Sequence, residues 1–265
     1  MRRGLTLIET LIALGTVTVL LAVTVPGLRS LRESARTTEC AANLRQMAAA
    51  ALSYANVNRE AMPPAIIQRW RNGQLVSQCW DWETASTGPG APPASVTPGV
   101  LWNWLDGGER TLQCPLLEPG LPGSDPFTGY NYNTTFIGAE GSLPGPGPDG
   151  AMVEGWANAR LGVPASQFRR PGEAALFGDA GWKGGPNKFM RAPMNSVELN
   201  LSVVYAGGQA FRHSGGCNVA WLDGHVTCTR ECCKGALAQP GLLSGVMDWP
   251  RNGFLSEDDS AYDPR

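Results

Sequence analysis

The chain carries only two histidines, both near its C-terminus: His213, and His225 two residues after Asp223. Two imidazoles and a carboxylate suit zinc, and Asp179 adds a second carboxylate upstream. Cys217, Cys228, Cys232 and Cys233 crowd the same stretch at spacings similar to zinc-ligand sets. The spacing does not require a metal, however. His213 beside Gly215-Gly216 also reads as a loop histidine bonding backbone, and Asp223 as a turn residue capping its own amides. That structural reading carries more weight, and no metal or other cofactor is assigned. No Ser-His-Asp or Cys-His order, phosphate-cradling glycine loop or paired-carboxylate motif stands out. With two histidines for acid–base work, the chain is not read as an enzyme.

These residues need an element to hold them. Residues Cys217 to Cys228 read CNVAWLDGHVTC, two alternating runs around Asp223-Gly224, and predict a hairpin with a two-residue type I′ turn. Pairing Leu222 with His225 then sets Trp221 opposite Val226 and Val219 opposite Cys228. In that register Cys217, Val219, Trp221, Val226 and Cys228 share the core face, and Ala220, Leu222, His225 and Thr227 the other. Cys217 and Cys228 become diagonal neighbours, so disulfide partners are expected at Cys232 or Cys233. Cys79 with Cys114 is the remaining expected bridge. The seven cysteines, behind an N-terminus of exported character, point to an oxidising compartment.

At the other end, Arg2 and Arg3 precede an apolar run from Leu5 to Val25. A helix over that run is about 32 Å long and matches a bilayer core, with the arginines cytoplasmic and the remainder outside. A secretory signal peptide explains this poorly, because the run is long and lacks a small-residue cleavage site. A plain anchor leaves Glu9 unexplained, since a carboxylate in hydrocarbon costs a few kcal/mol and calls for a partner. Past Pro26, Cys40, Leu44, Met47, Ala51, Tyr54 and Ala55 form one apolar stripe, with Arg32, Glu33, Arg36, Glu39 and Arg45 facing outward. The helix therefore extends over residues 5–60, with a bend expected at Pro26 and a stop at Pro63-Pro64. Cys40, on the stripe, reads as a packed thiol.

The order Gly4, Leu5, Thr6-Leu7-Ile8-Glu9 and Pro26 resembles the class III signal of type IV prepilins and pseudopilins. The resemblance implies a leader over residues 1–4, cut by a prepilin peptidase between Gly4 and Leu5, with methylation of Leu5. Glu9 would become the fifth mature residue and Pro26 the twenty-second. Glu9 would then neutralise the Leu5 amine of a neighbouring subunit during helix packing. His213, nine residues and then Asp223-Gly224 resembles the C-terminal signature of a large group of prepilin-like proteins abundant in planctomycetes. Asn43-Leu44-Arg45-Gln46, Cys114-Pro115, Gly129 to Asn133 and Arg170 to Leu176 support that likeness. It implies an α+β pilin-like fold in which the long helix packs on a small antiparallel sheet. The implied partners are other pilin or pseudopilin subunits and the inner membrane, crossed once with the N-terminus cytoplasmic. Because some pseudopilins bind calcium, Asp179 or Asp223 is a weak calcium candidate.

Residues 61–265 form the globular part. Gly (33) and Pro (21) are abundant, and the breaker-rich stretches Ser86 to Gly99 and Gly138 to Gly150 read as loops. Trp102 to Leu105, Thr111 to Cys114 and Ala174 to Phe177 are candidate strands or turns. A net charge of -2 with scattered cations gives no nucleic-acid footprint. Nine tryptophans suit either core packing or glycan contact by an anchored, non-polymerising protein, with packing the stronger reading.

Overall fold

The computed structural model describes residues 6–89, 91–117, 129–138, 140–155, 162–183, 185–194, 207–238 and 240–265. Gly4 and Leu5, the expected processing site, lie outside the described residues.

Helix α1 spans Leu7–Val57, 51 residues and about 77 Å. Thr6 caps it: its side chain accepts from the Glu9 N–H, and Glu9 Oε2 accepts from Thr6 N and Oγ1, both at 2.8 Å. Pro26 lies inside the helix without interrupting it. The helix stops before Pro63-Pro64, because Arg59 and Glu60 turn left-handed at φ 56° and 64°. Everything from Thr6 to Arg36 is exposed, whereas Cys40, Asn43, Leu44, Met47, Ala48, Ala51 and Ala55 are buried. One helix thus has two surfaces: apolar all round in its first half, and one-sided in its second. Among the described residues, α1 is the helix long and apolar enough to cross a membrane.

The body begins with strands β1 (Ile66–Arg71), β2 (Gln74–Cys79), β3 (Trp82–Ser86) and β4 (Pro93–Pro98), an antiparallel meander. β1 and β2 join through Asn72-Gly73, both at positive φ, the two-residue turn that matches strand twist. Next come β5 (Tyr130–Asn133), a buried π-turn at Thr134–Gly138, and β6 (Glu140–Ser142), which pairs with β1 in parallel. β7 (Gly145–Pro146) and β8 (Met152–Val153) make a short ribbon. β9 (Ala175–Gly181) is buried at every residue and is flanked by β5 on one side, with β11 (Gly208–Ala210) and β12 (Cys217–Trp221) on the other. β10 (Phe189–Met190) runs parallel to β5. β12 pairs with β13 (Val226–Thr229), and past α2 (Pro240–Met247), β14 (Asn252–Gly253) closes on β11.

The class is α+β, with mixed rather than purely antiparallel sheets. The second half of α1 lies on β9, β12 and β13. Trp80, Tyr132 and Phe177 fill the core beneath, with Phe177 centred 5.3 Å from Trp80 and 4.8 Å from Tyr132. Trp80 is thus a core residue, and Trp82 meets Trp102 edge to face.

Two sequence expectations change, both at stretches read as loops. The Pro-rich stretch after Ser86 supplies β4 at a sheet edge, where prolines at the strand ends remove no needed hydrogen bond. The stretch after Gly138 supplies β6 and β7. The strand-or-turn candidates near Trp102 and Thr111 are turns: Trp102–Trp104 and Gly108–Leu112 are 3₁₀.

The hairpin exists but its register is shifted. Val219 faces Thr227, Asn218 faces Cys228 and Trp221 N donates to His225 O, leaving a three-residue loop, Leu222-Asp223-Gly224. Gly224 alone in that loop is left-handed, at φ 93°, so the turn is of the bulged kind and not type I′. Leu222 is consequently buried and Cys228 exposed, opposite to expectation.

Candidate functional site

Four elements deliver four donor side chains to one buried point. Cys40 comes from the docked half of α1, Cys114 from the turn after the second 3₁₀ segment, Asp179 from β9 and His213 from the loop between β11 and β12. Their ligand atoms all lie within 4.8 Å of one another, and all four side chains are buried. Cys40 Sγ is 3.3 Å from Asp179 Oδ1, His213 Nε2 is 3.1 Å from Asp179 Oδ2, and Cys114 Sγ is 3.8 Å from His213 Nε2.

Local structure explains each placement. Cys40 lies on the helix stripe that β9 and β12 cover. Asp179 sits mid-sheet, where Asn218 N of neighbouring β12 donates to its Oδ2 at 2.8 Å. His213 is turned inward by a tight reversal: its N–H donates to Gly216 O and Gly216 N donates back, both at 2.9 Å, across Ser214 and Gly215 at positive φ. The outer ring nitrogen, Nδ1, lies 3.1 Å from Thr37 Oγ1 on α1. Around the four, Arg212 donates to Gly129 O and Ala180 O, and its charge acts on Asp179, Cys114 and Cys40. Asn43 Nδ2 reaches Gln113 O and Tyr130 Oη.

The electrostatics fit a site that prefers an ordered set of charges. Burial opposes charge on His213, but hydrogen bonds to Asp179 and Cys114 outweigh it and raise the imidazole to about 9. The Cys40 hydrogen bond holds Cys114 below an ordinary thiol, against burial and with help from His213. Cys40 is pushed up, first by burial and then by its contact with Cys114.

Other expected site residues fall elsewhere. The Cys79–Cys114 bridge is not formed: Cys114 belongs to the cluster, and Cys79 is buried at the end of β2. Cys217, Cys228, Cys232 and Cys233 are also thiols and not disulfides. Cys217 is sealed in β12, Cys228 lies on exposed β13, and Cys232 Sγ is 3.6 Å from Asn252 O. Asp223 and His225 pair with each other on the exposed turn, Oδ1 to Nδ1 at 2.5 Å. Strand β12 runs between His213 and Asp223-Gly224, so the signature residues do not meet. Asp179 and Asp223, the calcium candidates, do not share a site: one is buried among thiols and the other is on the surface.

Three residues escaped sequence reasoning. Cys40 was visible as a buried position but not as a donor, because its partner is 139 residues away. Thr37, one turn earlier, and Arg212, next to His213, carried no signal of their own. Comparison with family models, with curated proteins and with solved structures yields no match for this chain.

Proposed function

We propose that this chain is a pilin-like subunit that assembles through its N-terminal helix into a type IV pilus or type II secretion pseudopilus. A prepilin peptidase first cuts it between Gly4 and Leu5 at the inner membrane. The N-terminus is then cytoplasmic, and the body is periplasmic or carried on a filament.

One observation carries this reading: the division of α1. A helix that is apolar on every side needs an apolar environment on every side. Leu7, Leu11, Leu14, Leu20 and Leu31 are each more than half exposed, while the second half is satisfied by the sheet. A membrane satisfies the first half before assembly, and a bundle of like helices satisfies it afterwards. Glu9 within that surface then needs a cation, which a neighbour's Leu5 amine supplies in the bundle.

The Thr6–Glu9 capping box favours a second reading, an anchored protein that never polymerises, because it gives the carboxylate a partner within its own chain. Glu9→Ala separates the two. The filament reading expects normal cleavage but a more than roughly tenfold drop in subunits recovered from sheared filaments, the consequence of losing a buried ion pair worth a few kcal/mol. Undiminished recovery would refute that role for Glu9, whereas absence of the unmodified chain from sheared filaments would refute assembly and leave the anchor.

A further inference from the structure

Assembly through the N-terminal half of α1 makes no use of the four donors buried where its second half meets the body. We propose that Cys40 Sγ, Cys114 Sγ, the Asp179 carboxylate and His213 Nε2 form a closed structural zinc site that clamps the second half of α1 to the sheet.

The donor types favour zinc. Two sulfurs, one imidazole and one carboxylate are a borderline-soft set, whereas calcium takes six to eight oxygens. The spacing also fits. Zinc–ligand lengths of about 2.0 to 2.3 Å in a tetrahedron put neighbouring donors roughly 3.3 to 3.8 Å apart. His213–Asp179, Cys40–Asp179 and Cys114–His213 stand at 3.1, 3.3 and 3.8 Å, the first two through different oxygens of the one carboxylate, and the donor atoms all lie within 4.8 Å of one another.

The surroundings are those of a held metal. Metal-bound histidines generally give their second nitrogen to an oxygen, and His213 Nδ1 has Thr37 Oγ1 at 3.1 Å. Asp179 is oriented by the Asn218 N–H at 2.8 Å. Charge closes as well: two thiolates, one carboxylate and Zn²⁺ sum to -1, and Arg212 beside them restores neutrality. Four protein ligands, all buried, leave no open coordination position, which marks a structural rather than a catalytic site.

A disulfide between Cys40 and Cys114 is the rival use of the two sulfurs. It does not need His213 and Asp179 to converge on the same point, and it would strand them as a buried ion pair. Zinc uses all four. Because the ligands come from α1, the turn after the second 3₁₀ segment, β9 and the β11–β12 loop, the metal would join segments that the chain itself separates widely. The clamp is independent of whether the chain polymerises.

The test uses the full-length chain purified in detergent without chelator. Elemental analysis is expected to find one zinc per chain, and cobalt substitution to give thiolate-to-cobalt charge-transfer absorption with tetrahedral d–d bands. Iodoacetamide should label exposed Cys228 with or without chelator, but Cys40 and Cys114 only after chelation. His213→Gln should lose the zinc. A Cys40–Cys114 linked peptide in the native protein, absence of zinc after reductive incubation with zinc, or zinc undiminished in His213→Gln would each overturn the proposal. If that variant does not fold, the alkylation footprint of the unmodified chain decides by itself.

Discussion

His213 and Thr37 are 176 residues apart in the chain and 3.1 Å apart in the fold, imidazole Nδ1 to hydroxyl Oγ1. The helix thereby orients, from outside, the ring whose other nitrogen faces Asp179. A residue that acts through another in this way should affect metal retention without touching the metal. Thr37→Val is expected to weaken zinc binding about 10- to 100-fold in a chelator competition. Thr38→Val is the control: Thr38 is exposed, its hydroxyl donates to the Ser34 carbonyl, and the affinity should not change.

Lys188 and Asp81 form a second long-range link, 3.2 Å apart with both side chains nearly inaccessible. Removing one member of a buried pair leaves the other charge in low dielectric, at a cost of about 3–5 kcal/mol. For a chain of this size that corresponds to a melting temperature roughly 6–20 °C lower for Lys188→Met, read by thermal unfolding in detergent. Pairing it with Asp81→Leu should recover part of the loss, because neither charge of this pair is then buried.

Gly99 tests the packing where the meander meets the 3₁₀ turn. A Cβ there would lie 2.5 Å from Asp81 C and 2.6 Å from Cys79 O, both backbone atoms that cannot swing aside. Gly99→Ala should therefore cost about 1–3 kcal/mol by overpacking. Gly88→Ala, with nothing within 4 Å, should be close to neutral in the same melt.

What the sequence disclosed follows the range of the interactions concerned. The helix was legible because its periodicity and apolar run are local, and Cys40, Leu44, Met47 and Ala51 are buried as expected. The hairpin was legible as a hairpin but not in register. Asp-Gly fits both a two-residue turn and a three-residue bulged loop, and the loop prevails here, with Leu222 buried and its N–H donating to Ala174 O. Asn72-Gly73 adopts the two-residue turn instead. The cluster was legible only in pieces. His213 and Asp179 stood out as donors, but their convergence with Cys40 and Cys114 depends on β9, β12 and α1 packing together, which no local pattern encodes. The disulfide expectation arose from compartment, and compartment says nothing about which sulfurs meet.

The short segments Gly129 to Asn133 and Arg170 to Leu176 acquire physical roles in the same way. Asn133 Nδ2 donates to Ala175 O and Tyr262 O, both at 2.8 Å, tying β5 to β9 and to the C-terminal tail. Arg170 holds that tail through Arg265 O at 2.9 Å, while Gly172 approaches the Asp223 carboxylate so closely that a Cβ would lie 3.0 Å from Oδ2. These residues brace the body around β9, beneath the docked half of the helix.

The central proposal is that α1 is a processed assembly helix, and the native N-terminus tests it most directly. Mass spectrometry of the protein recovered from its own cells should find an N-terminus at methylated Leu5, with residues 1–4 removed. An N-terminus that retains Gly4 and the residues before it would contradict the proposal.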